Sequence, residues 1–465
     1  MERVQNIVAW IRRGNQALND IVWGPVMLAL MMGIGLYFSI RTGWLPIRRW
    51  KLVWRSTLGG LFQGGNREEG DISPFQASAT ALAGTMGTGN IVGVATALVA
   101  GGAGAVFWMW VSALFGMMTK YAEIVLAVQF RVRNERGEVV GGPMYYIEKG
   151  LKQKWLAVLF ACFCTLASFG IGNMTQVNAM AQTLHSAFHV DALVTGIVSA
   201  LLASFVIVGG VTRIAKVTSA LIPALSLFYM VGSILAIGLS WEAVPQAFAL
   251  IFREAFSLKA AGGGVLGYAF MNALRFGVAR GVFSNEAGLG SAPIAHAASK
   301  VKSPVEQGMW GIFEVFADTI VVCTLTALVI LTSGVFGTKG LDGADLTTAA
   351  FAETLGSFAG TFLSVAVTLF AFATLIGWYY YGERSVEYLC KRDGAVKVYR
   401  LVYLILILLG AMMELTLVWS ISDTLNGLMA IPNLIALVGL SGVVLKITRE
   451  FFAEKRGGNV SNRMK

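Results

Sequence analysis

Two short runs carry residue types that could hold a small charged ligand. They are Ala83-Gly84-Thr85-Met86-Gly87-Thr88-Gly89-Asn90 and Gly281-Val282-Phe283-Ser284-Asn285-Glu286-Ala287-Gly288-Leu289-Gly290-Ser291. Each mixes Gly with hydroxyls and amides, and each interrupts an apolar stretch long enough to cross a bilayer. A helix broken at membrane depth frees backbone N–H and C=O groups that lipid cannot satisfy. Such a break is tolerated only inside protein or beside a polar cavity. In the first run Thr85, Thr88 and Asn90 offer side-chain donors and acceptors, while Gly84, Gly87 and Gly89 let the backbone turn and a ligand approach. Half-helix N-termini favour an anion such as a carboxylate, and freed carbonyls and hydroxyls offer hard oxygen ligands to a small cation. One broken helix can thus hold both ends of a cation–amino acid pair. The second run adds Ser284, Asn285, Glu286 and Ser291, with Phe283 as an apolar wall. Helix packing through small residues would explain one such run. Two runs at matched places in two halves point to the binding site of a secondary transporter.

Other spans bring polar residues to the same depth. The span 155–183 clusters Gly172, Asn173, Thr175, Gln176 and Asn178. Asn173 and Gln176 are three apart and share a helix face, with interhelical hydrogen bonding as the alternative to ligand binding. On the span 357–382, Thr374 and Trp378 are four apart and share a face. That pair joins a hydroxyl able to ligate a cation to a ring able to limit substrate size, with Thr packing and an interfacial Trp as the alternative. Thr368 need not face the same way. Glu286 is costly at membrane depth unless paired or solvated; ion pairing with Arg275 or Arg280 on its own span stands beside a role in gating or cation attraction. Glu314 and Asp318 form an acidic face on the span 306–336, and Lys120 and Glu123, three apart, are spaced to pair; a proton relay is the alternative to structural pairing for either set. His185 and His189 fall in an outer loop and His296 in an inner one, so no histidine is expected at membrane depth beside a carboxylate. Gly87-Thr88-Gly89 follows no strand and lacks a suitably spaced acid, which excludes a dinucleotide loop.

The elements that must position these residues are transmembrane helices. The 465 residues are 56% hydrophobic and 13% charged, with mean hydropathy +0.68, against roughly 25% charged in soluble proteins. Spans are expected near 21–40, 72–99, 104–130, 155–183, 191–210, 217–239, 262–294, 306–336, 357–382, 399–416 and 419–445. The opening residues are amphipathic and show no cleavable signal peptide. The stretches 242–257 and 344–356 are too short and polar to cross, and are expected at the interface. Most of the 36 Lys and Arg fall in the loops 41–71, 131–154, 211–216, 295–305 and 383–398 and in the C-terminal tail. These loops share one face, which puts the N-terminus outside and the C-terminus in the cytoplasm. The net charge of +10 therefore describes topology and not nucleic-acid binding. Cys162, Cys164, Cys323 and Cys390 read as structural thiols in or beside apolar spans.

Setting aside the first helix leaves two groups of five spans, each opening with an interrupted one. Five is odd, so the second group enters from the opposite face and the halves are inverted repeats. The expected fold is an all-α polytopic membrane protein with eleven helices. It divides into an N-terminal segment with the extra helix (1–70), a first repeat (71–240), a second repeat (241–446) and a cytoplasmic tail (447–465).

Several blocks sharpen this reading. Ser73-Pro74-Phe75-Gln76-Ala77 opens the first broken helix, and Gly101-Gly102-Ala103-Gly104-Ala105-Val106-Phe107-Trp108-Met109-Trp110 runs on to Gly116. With Gly142-Pro143-Met144-Tyr145-Tyr146, Ser284-Asn285-Glu286-Ala287-Gly288 and Gly377-Trp378-Tyr379-Tyr380-Tyr381-Gly382-Glu383, the chain from about 70 to 390 resembles the alanine or glycine:cation symporter family. The resemblance implies a leucine-transporter-like fold and sodium-coupled uptake of alanine or glycine across a bacterial or archaeal inner membrane. It implies sodium as the co-transported ion and no organic cofactor. Sodium would lie between the first broken helix, with the Ala83 and Met86 carbonyls, and Thr374. Substrate would touch Gly84, Thr85, Gly87, Thr88, Gly89, Asn90, Asn173, Gln176, Phe283, Ser284, Asn285 and Trp378. From the residues alone, proton coupling, exchange and a passive channel stay open. An enzyme acting on lipids would need a nucleophile, base or metal cluster, and no Cys/His/Asp set of that kind is visible.

Overall fold

The computed structural model describes residues 2–60, 70–256, 265–413 and 416–461. Part of the expected loop 41–71, the end of the stretch 242–257, the opening of the span 262–294 and the last tail residues lie outside the described residues. Among the described residues, eight helices are long and apolar enough to cross a bilayer, and the bent pair Pro74–Thr85 with Thr88–Gly101 makes a ninth. The expected spans 191–210 and 262–294 fall on Ala192–Ile207 and on Val265–Asn285 with Ala292–Ala297, which are not among the nine. Ala192–Ile207 has 16 residues, about 24 Å of helix against a hydrocarbon core of about 30 Å. The two shorter stretches form Val244–Ala255 and Gly343–Leu355. The expected tail begins inside a helix, Ser441–Ser461, and the only strands among the described residues are the hairpin Val132–Arg133 and Val139–Val140.

The first broken helix starts on a capping box. Ser73 Oγ accepts from Gln76 N at 3.2 Å while Gln76 Oε1 accepts from Ser73 N at 3.0 Å, with Pro74 in the first turn. This satisfies backbone donors that helix starts leave unpaired. The helix stops at Thr85, and the chain resumes through a short 3₁₀ turn, Thr88–Asn90, after bending by 60°. The amide of Gly87 donates to Thr85 O at 3.0 Å and Asn90 Oδ1 at 3.2 Å, so Ala83 O loses the donor a continuing helix would supply.

The second break is built differently. Val265–Asn285 ends at Glu286, which has φ +56°. Left-handed backbone costs a residue with a Cβ about 1–2 kcal/mol, so surrounding structure must impose it. Gly288 and Gly290 continue the turn at φ +94° and +83°, and Ala292–Ala297 resumes the helix.

Two unbroken segments carry π-helical turns: Gly170–Met174 between Lys154–Phe169 and Thr175–Phe188, and Phe316–Cys323 between Pro304–Val315 and Thr324–Thr332. Such turns add a residue and rotate everything that follows. The long helix Phe358–Cys390 crosses the first broken helix where a Cβ on Gly377 would meet Gly84 N at 3.0 Å. Small residues permit this backbone approach. Away from the breaks, the residues just before Pro74–Thr85 and just after Ala292–Ala297 are strapped together. Asp71 N donates to Ala298 O at 2.8 Å, and Lys300 N to Ile72 O at 2.7 Å.

Candidate functional site

The two breaks meet in the middle of the molecule. Asn90 Nδ2 donates to Ser284 Oγ at 3.0 Å and to Asp318 Oδ1 at 2.7 Å, and Ser284 Oγ donates to Asp318 Oδ2 at 2.8 Å. One buried carboxylate from the π-turn of Phe316–Cys323 thus clamps both unwound segments, with Thr319 as a further donor at 2.8 Å. A small cavity lies beside this clamp, lined by Gly84, Thr85, Gly87, Thr88, Gly89, Ile171, Gln176, Phe283, Glu286, Thr374, Trp378 and Asn426. Its free volume is about 20 Å³, which is room for roughly one water. From Thr88 a wider vestibule of about 590 Å³ opens past Asn178, Gln182 and Thr347. Vestibule and cavity thus share Thr88 as a common wall, while the Asp71–Lys300 strap lies at the far end of the helix Pro74–Thr85.

Nine of the expected residues line this cavity together: Gly84, Thr85, Gly87, Thr88, Gly89, Gln176, Phe283, Thr374 and Trp378. Thr374 and Trp378 face it jointly, as their spacing predicts. A Cβ on Gly87 would stand 2.6 Å from Thr374 Oγ1 and 3.5 Å from Gln176 Oε1. The glycine leaves a gap bounded by oxygens. Gln176 Nε2 donates to Ile171 O at 2.9 Å, which turns Gln176 Oε1 to the cavity without a hydrogen-bond partner. Trp378 Nε1 is shared between Gly84 O at 3.2 Å and Glu286 Oε1 at 3.1 Å, so one indole bridges both breaks.

Other expected residues stand beside the cavity or turn from it. Asn90 and Ser284 form the clamp behind the wall. Ala83 and Met86 are buried at the helix end. Asn173 Nδ2 donates to Tyr403 O at 2.7 Å and faces the helix Asp393–Met412. Asn285 braces its own break, donating to Thr319 Oγ1 at 3.1 Å and accepting from Ala287 N at 3.0 Å. Neither Asn173 nor Asn285 is among the lining residues.

Three expected charge pairings are corrected. Glu286 contacts Ser291 and Trp378, not an arginine. Arg275 lies 3.6 Å from Asp20, and the Arg280 guanidinium sits over the Phe283 ring at 5.4 Å. Lys120 pairs with Glu314 at 3.2 Å, while Glu123 accepts from Asn433 Nδ2. His296 is not in a loop: it belongs to Ala292–Ala297, is fully buried, and its Nε2 lies 2.8 Å from Glu314 Oε1. A histidine does therefore meet a carboxylate inside the bundle. Lys120 Nζ also donates to Asn285 O at 3.0 Å, at the helix end where a cation is favoured.

Glu286, Ile171 and Asn426 are lining residues that the sequence does not rank among the binding set. Glu286 carried a signal, since it sits inside the second run. Asn426 is one amide in an apolar span and carried none.

Comparison with known proteins agrees with this architecture. The model of a family described as the sodium:alanine symporter family matches residues 8–465. The sodium/alanine symporter AgcS of Methanococcus maripaludis is 46% identical over 93% of this chain and 96% of its own. The probable sodium/glutamine symporter GlnT of Bacillus subtilis is 40% identical over 95% and 90%. Among solved structures, MhsT in complex with L-phenylalanine superposes with a TM-score of 0.57 over 84% of this chain and 99% of its own, at 12% identity. That likeness concerns the fold, which is leucine-transporter-like.

Proposed function

Because the chain belongs to the sodium:alanine symporter family, and is thus a multi-pass membrane transporter, we propose that it carries alanine or glycine into the cell with sodium by alternating access. The observation that carries this reading is the small closed cavity between two backbone breaks, walled by unpaired oxygens and by the indole of Trp378. With room for roughly one water, it must widen to admit alanine or glycine. Substrate lies among Gly84–Asn90, Gln176, Phe283, Ser284 and Trp378, while Asn173 and Asn285 hold the surrounding helices. Sodium occupies the oxygen-bounded gap at Gly87, taking Thr374 Oγ1 and the Ala83 and Met86 carbonyls. Thr374 Oγ1 donates to Phe370 O at 3.0 Å, which leaves its lone pairs for a cation.

In this reading the eleven expected spans cross the membrane, 71–240 and 241–446 are inverted repeats, and the N-terminus is outside. The Lys and Arg distribution supports that orientation. The vestibule then opens outward and the Asp71–Lys300 strap closes the cytoplasmic side of a bacterial or archaeal inner membrane. If sodium and substrate favour each other's binding, a coupling of about 1–3 kcal/mol links them. Purified protein in proteoliposomes should accumulate alanine or glycine only with an inward sodium gradient. Thr374→Ala should raise the sodium concentration for half-maximal uptake about tenfold or more. Unchanged sodium dependence in that variant removes the sodium assignment.

A proton-coupled symporter is the second reading, favoured by the buried His296–Glu314 contact. Uptake driven by a pH gradient with sodium replaced by choline would select it.

A further inference from the structure

We propose that Glu286 receives the ammonium group of the substrate, and that with Gln176 Oε1 it makes the cavity select an amino acid over an isosteric molecule lacking that charge. The inference rests on the amino-acid symport reading and assigns which end of the zwitterion goes where.

Glu286 is 4% exposed and lines the cavity from the unwound segment. Its described partners, Trp378 Nε1 and Ser291 Oγ, are neutral donors. Neither arginine of its own helix reaches it, Arg275 lying at Asp20 and Arg280 over Phe283, and Lys120, whose charge is felt at Glu286, spends its contacts on Glu314 and Asn285 O. A carboxylate in such surroundings is costly without a countercharge. The cavity is the open direction left to it, so the countercharge comes with the ligand.

The cavity's polar inventory specifies which cation. An ammonium brings three N–H donors and needs a fan of acceptors. Gln176 Oε1 is buried without a partner, and Glu286 has lone pairs beyond its two bonds. The indole N–H of Trp378 is already spent on Gly84 O and Glu286. On this side Glu286, Gln176 Oε1 and the unpartnered Asn426 Oδ1 offer acceptors, which suits an ammonium. The substrate carboxylate then turns to the opened backbone of Gly87–Gly89 and the nearby sodium. Glu286 also holds the indole that bridges the breaks, so ammonium binding and closure of the cavity act on one group.

The test is equilibrium binding of radiolabelled alanine to the purified full chain in sodium, competed by lactate, which carries a hydroxyl where alanine has its ammonium. For the wild type, lactate should fail to compete at a thousandfold excess over alanine. Glu286→Gln keeps an acceptor for Trp378 and turns the Ser291 contact into one in which the amide donates to Ser291 Oγ, while removing the charge. It should lower alanine affinity about 100-fold while lactate competition stays or improves, collapsing the discrimination that a charged buried partner provides. Alanine affinity within threefold of wild type in a folded Glu286→Gln protein overturns the proposal, as does effective competition by lactate in the wild type. Should Glu286→Gln not fold, Glu286→Asp keeps the charge at shorter reach. It should bind alanine more weakly yet still exclude lactate, and loss of that exclusion counts against the assignment. Wild-type protein that binds no amino acid defeats the symport reading instead, so the two failures are distinct.

Discussion

Glu286 and Glu314 are both carboxylates buried around the second broken helix, with opposite surroundings. Glu314 meets Lys120 at 3.2 Å and His296 at 2.8 Å, and neither it nor Lys120 is exposed. Those contacts tie the helix Pro304–Val315 to Gly104–Gln129 and to the short resumed helix Ala292–Ala297. Glu286, on the same break, contacts only neutral donors among its described partners and looks into the cavity. One site has completed its charge balance within the protein, while the other leaves it for a ligand to complete. The first arrangement builds structure, and the second builds function.

The sharpest way to break this contrast is to remove one partner on each side. Glu314→Leu leaves Lys120 buried without its carboxylate, which costs about 3–5 kcal/mol in comparable sites. A large fall in melting temperature, or failure to purify, is expected. The double variant Lys120→Met/Glu314→Leu should recover part of that loss, because no unpaired lysine remains. Glu286→Gln should melt close to the wild type. Reversed behaviour, with Glu286→Gln the less stable protein, would make Glu286 the structural carboxylate and end the comparison.

A smaller effect concerns the cavity itself. In Gly87→Ala the new methyl would lie 2.6 Å from Thr374 Oγ1, in the space assigned to sodium. Half-maximal sodium for alanine uptake should rise about tenfold, equivalent to about 1.4 kcal/mol, with less change in melting temperature than in Glu314→Leu. A matched loss of stability and sodium response would make Gly87 a packing residue.

Much of this site was legible because its signals are local. Gly beside hydroxyls inside an apolar run marks a break whatever surrounds it, and Thr374 and Trp378 share a face because their helix is regular. Asn173 shows where such reasoning stops. Its spacing from Gln176 predicts one shared face, yet the π-turn Gly170–Met174 intervenes and Asn173 points to Tyr403 O. The extra residue shifts the rotation by about 100°. Lys120 teaches a similar lesson, since Glu123 is near in sequence but Glu314 supplies the tertiary partner. His296 falls in an expected loop because the break hides the short helix that follows it. Glu286 is ambiguous in sequence for another reason: pairing with an arginine on its own helix and a role in gating or cation attraction fit it equally, and only the tertiary structure places Arg275 at Asp20.

The smallest expected effect lies outside the bundle, at the hairpin Val132–Val140. Glu138 accepts from Arg384 Nη1 at 2.7 Å, and Arg384 also donates to Glu387 at 2.7 Å, joining the hairpin to the end of Phe358–Cys390. Val139 N donates to Asp71 Oδ2 at 2.7 Å, so the same hairpin touches the entry to the first broken helix. Partial burial by itself raises the Glu138 pKa, but the guanidinium of Arg384 and hydrogen bonds from Asn134 and Arg384 outweigh it, leaving the carboxyl below its ordinary value. A depressed folded-state pKa means that the stabilisation is fully present above the unfolded value, about 4.3 for a glutamate. It is lost as pH falls through the lower folded value. Glu138 should therefore contribute no slope between pH 8 and about 5. Melting temperatures of wild type and Glu138→Gln should differ by a constant amount across that range and converge in acid. Glu138 is 29% exposed and Arg384 keeps Glu383 and Glu387 as partners, which limits the difference to about 1 kcal/mol or less. A gap between the two proteins that widens as pH falls below about 4 would contradict the sign of the shift, and with it the view that this latch is held by an ionised carboxylate.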